Sequence, residues 1–337
     1  MNKTLKIVIP MAGYGTRLRP QTWSRPKQLI SMAGKTVIEH VLGMFSTLPE
    51  DLEVEFVFIV GYLGDKIQEF MAREHPDLTV DYVEQEEMKG QSHAIYLAEK
   101  YISGPMLMVF ADTLIETDLS FLEDEKADIV AWVKPVQDPR RFGVAELGED
   151  QLVTRLIEKP KAMDNNLAVV GFYYFREGRE LIQAIEKQME RDVQLKGEYF
   201  LADAINIMLD ENQSRMRTEK INVWLDAGTP EAVLDTNRYL LENGYDNSEQ
   251  AAQRMGVRVI PPVYVHPEAV VEASVLGPHT AVEAGCEVRG SVIQNSILEK
   301  AARVEHMILD SSLVGQHAHL EGGSRSLNVG DHSALDL

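Results

Sequence analysis

From Val265 onward, apolar or small residues come in pairs four positions apart, and each pair starts five or six residues after the last. The pairs are Val265/Ala269, Val271/Val275, Leu276/Thr280, Val282/Cys286, Val288/Val292 and Ile293/Ile297, then Leu298/Ala302, Val304/Ile308, Leu309/Leu313 and Val314/Ala318. A period near six matches neither the 3.6 residues of a helical turn nor the alternation of a hairpin. It predicts a short left-handed parallel β-helix, in which each strand turns a corner and stacks on the coil below. At about eighteen residues per coil the tail makes three or four coils. An ordinary sandwich of short strands is the competing reading.

Ahead of this tail the punctuation changes. Apolar, β-branched runs at 5–10, 54–60, 78–83 and 106–110 read as buried strands. Segments with helical spacing at 36–45, 65–74 and 91–101 separate them. Strands alternating with helices predict an α/β, Rossmann-like domain with a mixed, mostly parallel sheet. After Ala127 four strand-like runs follow one another, then helices at 178–191 and 198–211, a strand at KINVWLD (220–226) and a helix at 230–242. The expected organisation is a catalytic-type domain over 1–245, a polar linker over 246–257 and the β-helix over 258–337.

Composition narrows the partners. A net charge of −20 over 337 residues argues against nucleic acid, which wants a basic face. The one cysteine, Cys286, supports neither a disulfide framework nor a cysteine-based zinc site, and fits a reducing cytoplasm. The start MNKTLKIVIPMAG has its apolar run cut by Pro10 and Gly13, unlike a signal peptide. Nowhere do about 18 apolar residues follow one another, so no membrane span is expected.

Against that acidic background IVIPMAGYGTRLRPQTWSRPKQL (7–29) stands out, with Arg17, Arg19, Arg25 and Lys27 crowded together. Ligands of such sheets gather beyond the carboxyl ends of the strands, where this stretch falls. A glycine-containing loop after a strand can turn its N–H groups inward as an anion nest, and an arginine adds a forked phosphate donor. Gly13 and Gly15 supply the turn and Arg17 the fork. A dinucleotide fingerprint fails because Leu18 stands at its third glycine, and a P-loop fails because Leu29 stands at its first.

The stretch AGYGTRLRPQTWSRPKQL closely resembles the signature of the sugar-1-phosphate nucleotidyltransferases, above all the glucose-1-phosphate thymidylyl- and uridylyltransferases. The matching positions are Gly13, Gly15, Thr16, Arg17, Pro20 and Lys27. Further segments resemble the family in order. EQEEMKGQSHAIYLA carries Gln85 and Gly90, VFADT carries Asp112, and FGVAE carries Gly143. EKP carries Glu158 and Lys159, LAVVGFYYF carries Val170 and Gly171, and VWLDAGTPEAVLDTNRYL carries Asp226.

The resemblance implies an enzyme that joins a nucleoside triphosphate to a sugar 1-phosphate and releases pyrophosphate. Such chemistry must overcome repulsion between two polyanions, about 4 kcal/mol per pair of unit charges at 4 Å and an effective dielectric of 20. Positioning and charge neutralisation are therefore its main needs. By resemblance Arg17 holds the departing pyrophosphate, Lys27 the α-phosphate, and Asp112 with Asp226 a Mg²⁺ ion. Ala12, Gly13, Tyr14, Gly15 and Thr16 line the nucleotide, and Gln85 with the Gly90 backbone reads its base. Gly143, Glu158, Lys159 and Val170 hold the sugar phosphate. Read alone, these residues are blander: an Asp after a strand is commonly a cap, and Gln85 within EQEE an exposed turn. Trp132 and Trp224 read as core residues.

The base and the sugar stay open. IPMAG looks like the uridylyl form and PKQL like the thymidylyl form. Thr113 stands where a thymidylyltransferase often has Asn, and Phe142 where it often has Tyr. The candidate pairs are dTTP or UTP with glucose 1-phosphate, or alternatively GTP with mannose 1-phosphate or UTP with N-acetylglucosamine 1-phosphate. A nucleotide-sugar-binding regulator without turnover is a further alternative. The coils would cover an edge or join subunits of a homo-oligomer. The tail histidines His306, His317, His319 and His332 raise acyl transfer as a separate reading, against surface or loop positions.

Overall fold

A computed structural model describes residues 4–323. The chain forms two compact units: one from the residues up to Ile30 together with Lys35–Val233, the other from Ser31–Gly34 and the residues from Leu234 on.

The first unit is built on a nine-stranded sheet. Its strands are β1 (Leu5–Pro10), β2 (Val54–Val60), β3 (Val80–Glu84) and β4 (Met106–Val109), followed after a short β5 (Thr113–Ile115) by β6 (Ile129–Pro135), β7 (Gly143–Leu147), β8 (Val153–Glu158), β9 (Leu167–Phe175) and β10 (Met216–Lys220). The order β8-β7-β9-β4-β1-β2-β3 is extended by β6 beside β9 and β10 beside β6. β4, β1, β2 and β3 run parallel, while β9 pairs antiparallel with β4 and β6. The central strands read as unbroken apolar runs because both faces are covered: Ile7, Val8, Ile9 and Met106 through Val109 have no exposed surface. The covering helices include α1 (Val37–Gly43), α2 (Gly64–Glu74), α3 (Gln91–Leu97), α4 (Gly178–Glu190) and α5 (Leu201–Glu211). α1 starts where Thr36 and Glu39 form a reciprocal capping box.

Two elements differ from the sequence expectation. KINVWLD is not one strand. β10 ends at Lys220, and Trp224–Asp226 forms a separate strand, β11, antiparallel to β5. The helix expected from 198 starts at Leu201, because Leu195 and Glu198 pair as a small bridge first.

The second unit carries three parallel four-stranded sheets, the arrangement of a left-handed β-helix of four coils. Val275 pairs with Val292, 17 residues on, and Val292 with Ile308, 16 residues on. The coil is therefore shorter than eighteen, because successive faces take five residues as well as six. Inward positions are apolar: Val271, Leu276, Val282, Val288, Ile293, Leu298 and Val304 form one core. The corners use left-handed backbone at Asn295, Ala301, His306, Ser311 and His317, with φ between 46 and 58°. His306 and His317 are thus corner residues, and His319 lies in the exposed strand His319–Glu321; His332 lies outside the described residues. Ser31–Gly34 joins this unit because the Ser31 and Gly34 N–H groups donate to the buried Glu299 and Glu283 carboxylates at 3.0 and 3.1 Å. The stretch at 246–257 holds a short helix, Ser248–Ala251, and Val257 opens the first coil strand.

Candidate active site

The loop after β1 turns sharply at Gly15, whose φ of +61° is left-handed. A Cβ there would come within 3.1 Å of the Thr22 methyl, and the Thr22 hydroxyl donates to the Gly15 carbonyl at 2.8 Å. Around Gly13 no atom lies within 4 Å of where a Cβ would stand, so that side of the loop is open to a ligand. The turn leads into a single helical turn, Thr16–Leu18, that carries Arg17.

The basic cluster divides by function. Arg25 is buried and donates to the Leu29 carbonyl at 3.2 Å, so it braces the turn Lys27–Leu29 from within the protein. Arg19 places its guanidinium carbon over the Trp23 ring, 3.9 Å from its centre. Lys27 instead reaches across to the Asp112 carboxylate as an ion pair.

Asp112 and Asp226, 114 positions apart, are neighbours in space. Asp226 is opposite Thr113 in the β11–β5 ladder, and the Ala227 N–H donates to the Asp112 carbonyl at 3.1 Å. Burial pushes the Asp112 carboxyl up, but Lys27 and Arg17 outweigh it and hold it below the usual range. Asp226 goes the other way: burial and the Asp112 charge raise it, against Arg17 and Lys27. Two adjacent carboxylates of opposite tendency suit a hard cation, which is satisfied by a few carboxylate oxygens and completes its shell with water and phosphate. Among the described residues no larger cluster of metal-binding side chains occurs.

Arg17, Asp112 and Asp226 line a cavity of about 480 Å³ together with Gly143, Glu158 and Val170. A Cβ at Gly143 would stand 3.1 Å from Glu158 Oε2, so glycine makes room for that carboxylate. Burial raises the Glu158 carboxyl, opposed by Lys159, whose ammonium is 3.6 Å away and 4.5 Å above the Phe200 ring. Lys159 has a left-handed φ of 48° and donates its N–H to the Phe142 carbonyl at 2.9 Å. Val170 and Gly171 lie where β9 breaks register between Val169 and Tyr173, and the Val170 carbonyl accepts from the Thr113 hydroxyl at 3.0 Å.

Gln85 follows β3 and is buried, although its neighbours Glu84, Glu86 and Glu87 are exposed. It lines a second cavity of about 710 Å³ whose wall includes Tyr14, paired with Tyr62 at 5.8 Å between ring centres. Gly90, with φ of +100°, packs so closely against Tyr199 that a Cβ would meet backbone at 2.6 Å.

Sequence reasoning missed several walls of these cavities. Trp132 is fully buried as expected, but Trp224 is only half-buried and packs edge-on to Phe142, 4.9 Å between ring centres, at the cavity wall. Its place two residues before Asp226 was the available signal. Arg141, Gln91 and Tyr173 also line the first cavity, and nothing in their local sequence marks them.

The fold and the site define a class, and comparison with known proteins gives the same one. The chain belongs to the nucleotidyl transferase family, whose sequence profile matches residues 6–243. It is 34% identical to the bifunctional protein GlmU of Methanocaldococcus jannaschii over 70% of this chain and 54% of that protein. It is 26% identical to the glucose-1-phosphate thymidylyltransferase of Streptomyces griseus over 99% of both. It is 28% identical to the low-salt glycan biosynthesis nucleotidyltransferase Agl11 of Haloferax volcanii over 99% of this chain and all of that one. The chain thus spans about half the length of the GlmU relative it matches. A Bacillus anthracis crystal structure, described as a glucose-1-phosphate thymidylyltransferase with sucrose, shares the fold. Its TM-score is 0.58 at 22% identity, over 71% of this chain and 96% of that one.

Proposed function

We propose that the protein transfers a nucleotidyl group from dTTP or UTP to a sugar 1-phosphate, with glucose 1-phosphate the leading acceptor, and releases pyrophosphate. The observation that carries this reading is the gathering of Lys27, Arg17, Asp112 and Asp226 at one end of the sheet, beside a cavity edged by Glu158. A sugar-phosphate oxygen attacks the α-phosphorus, the bond to the bridging oxygen breaks, and pyrophosphate takes its electrons. The attacking oxygen is already anionic, so the protein supplies placement and positive charge rather than a strong base.

In this reading Lys27 leaves Asp112 for the α-phosphate, and Arg17 forks onto the leaving pyrophosphate. The Ala12–Thr16 loop offers its N–H groups to the nucleotide. Gln85 and Gly90 meet the base. Glu158 accepts from a sugar hydroxyl, Lys159 grips the sugar phosphate, and Gly143 and Val170 shape the space around the ring. Asp112 and Asp226 would hold Mg²⁺, which when bound neutralises phosphate charge. GTP with mannose 1-phosphate and UTP with N-acetylglucosamine 1-phosphate use the same machinery. The relatives include both thymidylyltransferases and GlmU proteins, so all these sugars belong in the test.

The experiment is pyrophosphate release from dTTP, UTP and GTP, each with glucose, mannose and N-acetylglucosamine 1-phosphates, with Asp112→Asn as control. We expect release that needs both substrates and Mg²⁺ and is lost in the control. Binding of nucleotide sugar without any release would instead make the protein a regulator.

A further inference from the structure

An amide side chain can offer a ligand either its acceptor or its donors, and which end faces out decides what a reader such as Gln85 can recognise. Here the surroundings choose. Gln85 Nε2 lies 3.3 Å from the Gly90 carbonyl oxygen. The alternative orientation would set two acceptor oxygens against each other, so the nitrogen must be the atom facing Gly90. The same Nε2 lies 3.3 Å from Nδ1 of His93 on α3. It has two hydrogens, one for the Gly90 carbonyl and one for His93. Nδ1 is therefore the bare nitrogen of the imidazole, and the ring proton sits on Nε2 of His93. With both hydrogens engaged, the carbonyl oxygen is the one amide group Gln85 has left for a ligand in the cavity it lines.

We propose that His93 is a positioning residue for base recognition: its bare Nδ1 locks Gln85 with the carbonyl outward, so that the site accepts a hydrogen bond from the ring N3–H of uracil or thymine. This rests on the nucleotidyl-transfer reading above. Cytosine presents a lone pair at the same ring position and meets Oε1 as acceptor against acceptor.

The lock needs a neutral imidazole. Burial lowers the His93 pKa and Lys89 lowers it further, with Glu87 opposing. Lys89 and Glu87 precede α3 and pair with each other. Of the charged groups around α3, which also include Glu99, Glu186 and Glu190 near Tyr96 and Asp203 of α5 near Glu158, Lys89 and Glu87 are the ones that act on His93. His93 is thus neutral at pH 7 and becomes a donor only in more acid solution. Protonated Nδ1 would oppose the amide hydrogen that points at it, leaving Gly90 alone to hold the Gln85 amide and loosening the outward carbonyl.

The test compares the full-length wild type with His93→Asn, whose Oδ1 can replace Nδ1 as acceptor, and His93→Leu, which cannot accept. The first readout is the ratio of kcat/KM for UTP over CTP, at about pH 7.5 and about pH 5.5. The second is the ¹⁵N spectrum of the His93 ring. We expect the Nε2–H tautomer near neutral pH and a UTP preference that falls in acid for the wild type. His93→Leu should lose about tenfold of the preference, with kcat for UTP changing less than about threefold. His93→Asn should keep the preference at both pH values. An Nδ1–H tautomer, an undiminished ratio in His93→Leu, or equal losses in both variants would overturn the assignment. Absence of any pyrophosphate release from the wild type would overturn the transfer reading and this inference together. Normal turnover with an unchanged ratio in His93→Leu would overturn this inference alone.

Discussion

Replacing Lys27 by alanine removes the ammonium that the structure pairs with Asp112. The Lys27 side chain is only 16% exposed, so solvent screens its charge weakly. At a separation of 4 Å and an effective dielectric of 20, such a charge is worth about 4 kcal/mol to a phosphate. If that interaction is made in the transition state, its loss lowers kcat by about a thousandfold. The turn that carries the residue should survive. It is held by Arg25 on the Leu29 carbonyl and by the Ile30 N–H on the Lys27 carbonyl at 3.1 Å, neither of which uses the lysine side chain. The assay is pyrophosphate release at saturating nucleotide and sugar phosphate, with a thermal melt of the same sample as control. Lys27→Arg keeps the charge but not the compact ammonium, and should recover part of the loss. A Lys27→Ala enzyme within about tenfold of wild type, equally folded, would refute the role and the electrostatic reasoning with it.

Three further outcomes follow from the structure. Asp226→Asn should leave the metal-free protein at least as stable as the wild type in a thermal melt, because it removes a charge that stands beside the Asp112 carboxylate. Mg²⁺ should then stabilise the wild type but not the variant; equal stabilisation would argue against Asp226 as a ligand. Glu125 is held below the usual carboxylate range because Arg217 and the Ala127 and Lys126 N–H groups outweigh its burial. That stability is present above the unfolded pKa and is lost as pH falls through the folded one. Arg217→Met should therefore cost about 2 kcal/mol at pH 7 in a urea titration, and progressively less below about pH 4. A cost that does not vary with pH would contradict this. Gly171→Ala places a Cβ 2.2 Å from the Phe110 ring at a φ of +80°, and should destabilise by about 2–4 kcal/mol. A urea midpoint close to wild type would show that β9 does not need the glycine there.

The parallel strands were legible because burial on both faces writes itself as unbroken apolar sequence, as in LKIVIP and MLMV. β11 was not, because the apolar run through KINVWLD continues across a point where the chain leaves one sheet and joins another. The site shows the same division. Asp112 and Asp226 could be paired only through resemblance, since their proximity comes from the antiparallel meeting of β5 and β11. Gln85 looked exposed because its acidic neighbours are exposed; a single inward residue among outward ones leaves no periodic trace. Arg25 shows the converse error. It looked like part of a phosphate-binding cluster, yet its guanidinium is spent inside the protein on the turn that presents Lys27.

The tail shows how a repeat can assign a residue a purely conformational task. Each coil of the second unit spends its inward positions on apolar side chains and leaves the turning to corners with left-handed backbone. Such corners favour glycine, and a side chain there is tolerated only where the coil below leaves room. His306 fits this account. Its N–H donates to the Arg289 carbonyl of the preceding coil at 2.9 Å, and its ring lies over Gly290 so closely that a Cβ there would stand 2.7 Å from Nδ1. His317 repeats the pattern, its N–H donating to the Lys300 carbonyl at 3.1 Å. These two histidines therefore serve coil stacking, which removes two of the four residues that suggested acyl transfer. A side chain introduced at Gly290 would tilt the His306 corner and strain the hydrogen-bonded rungs on either side of it.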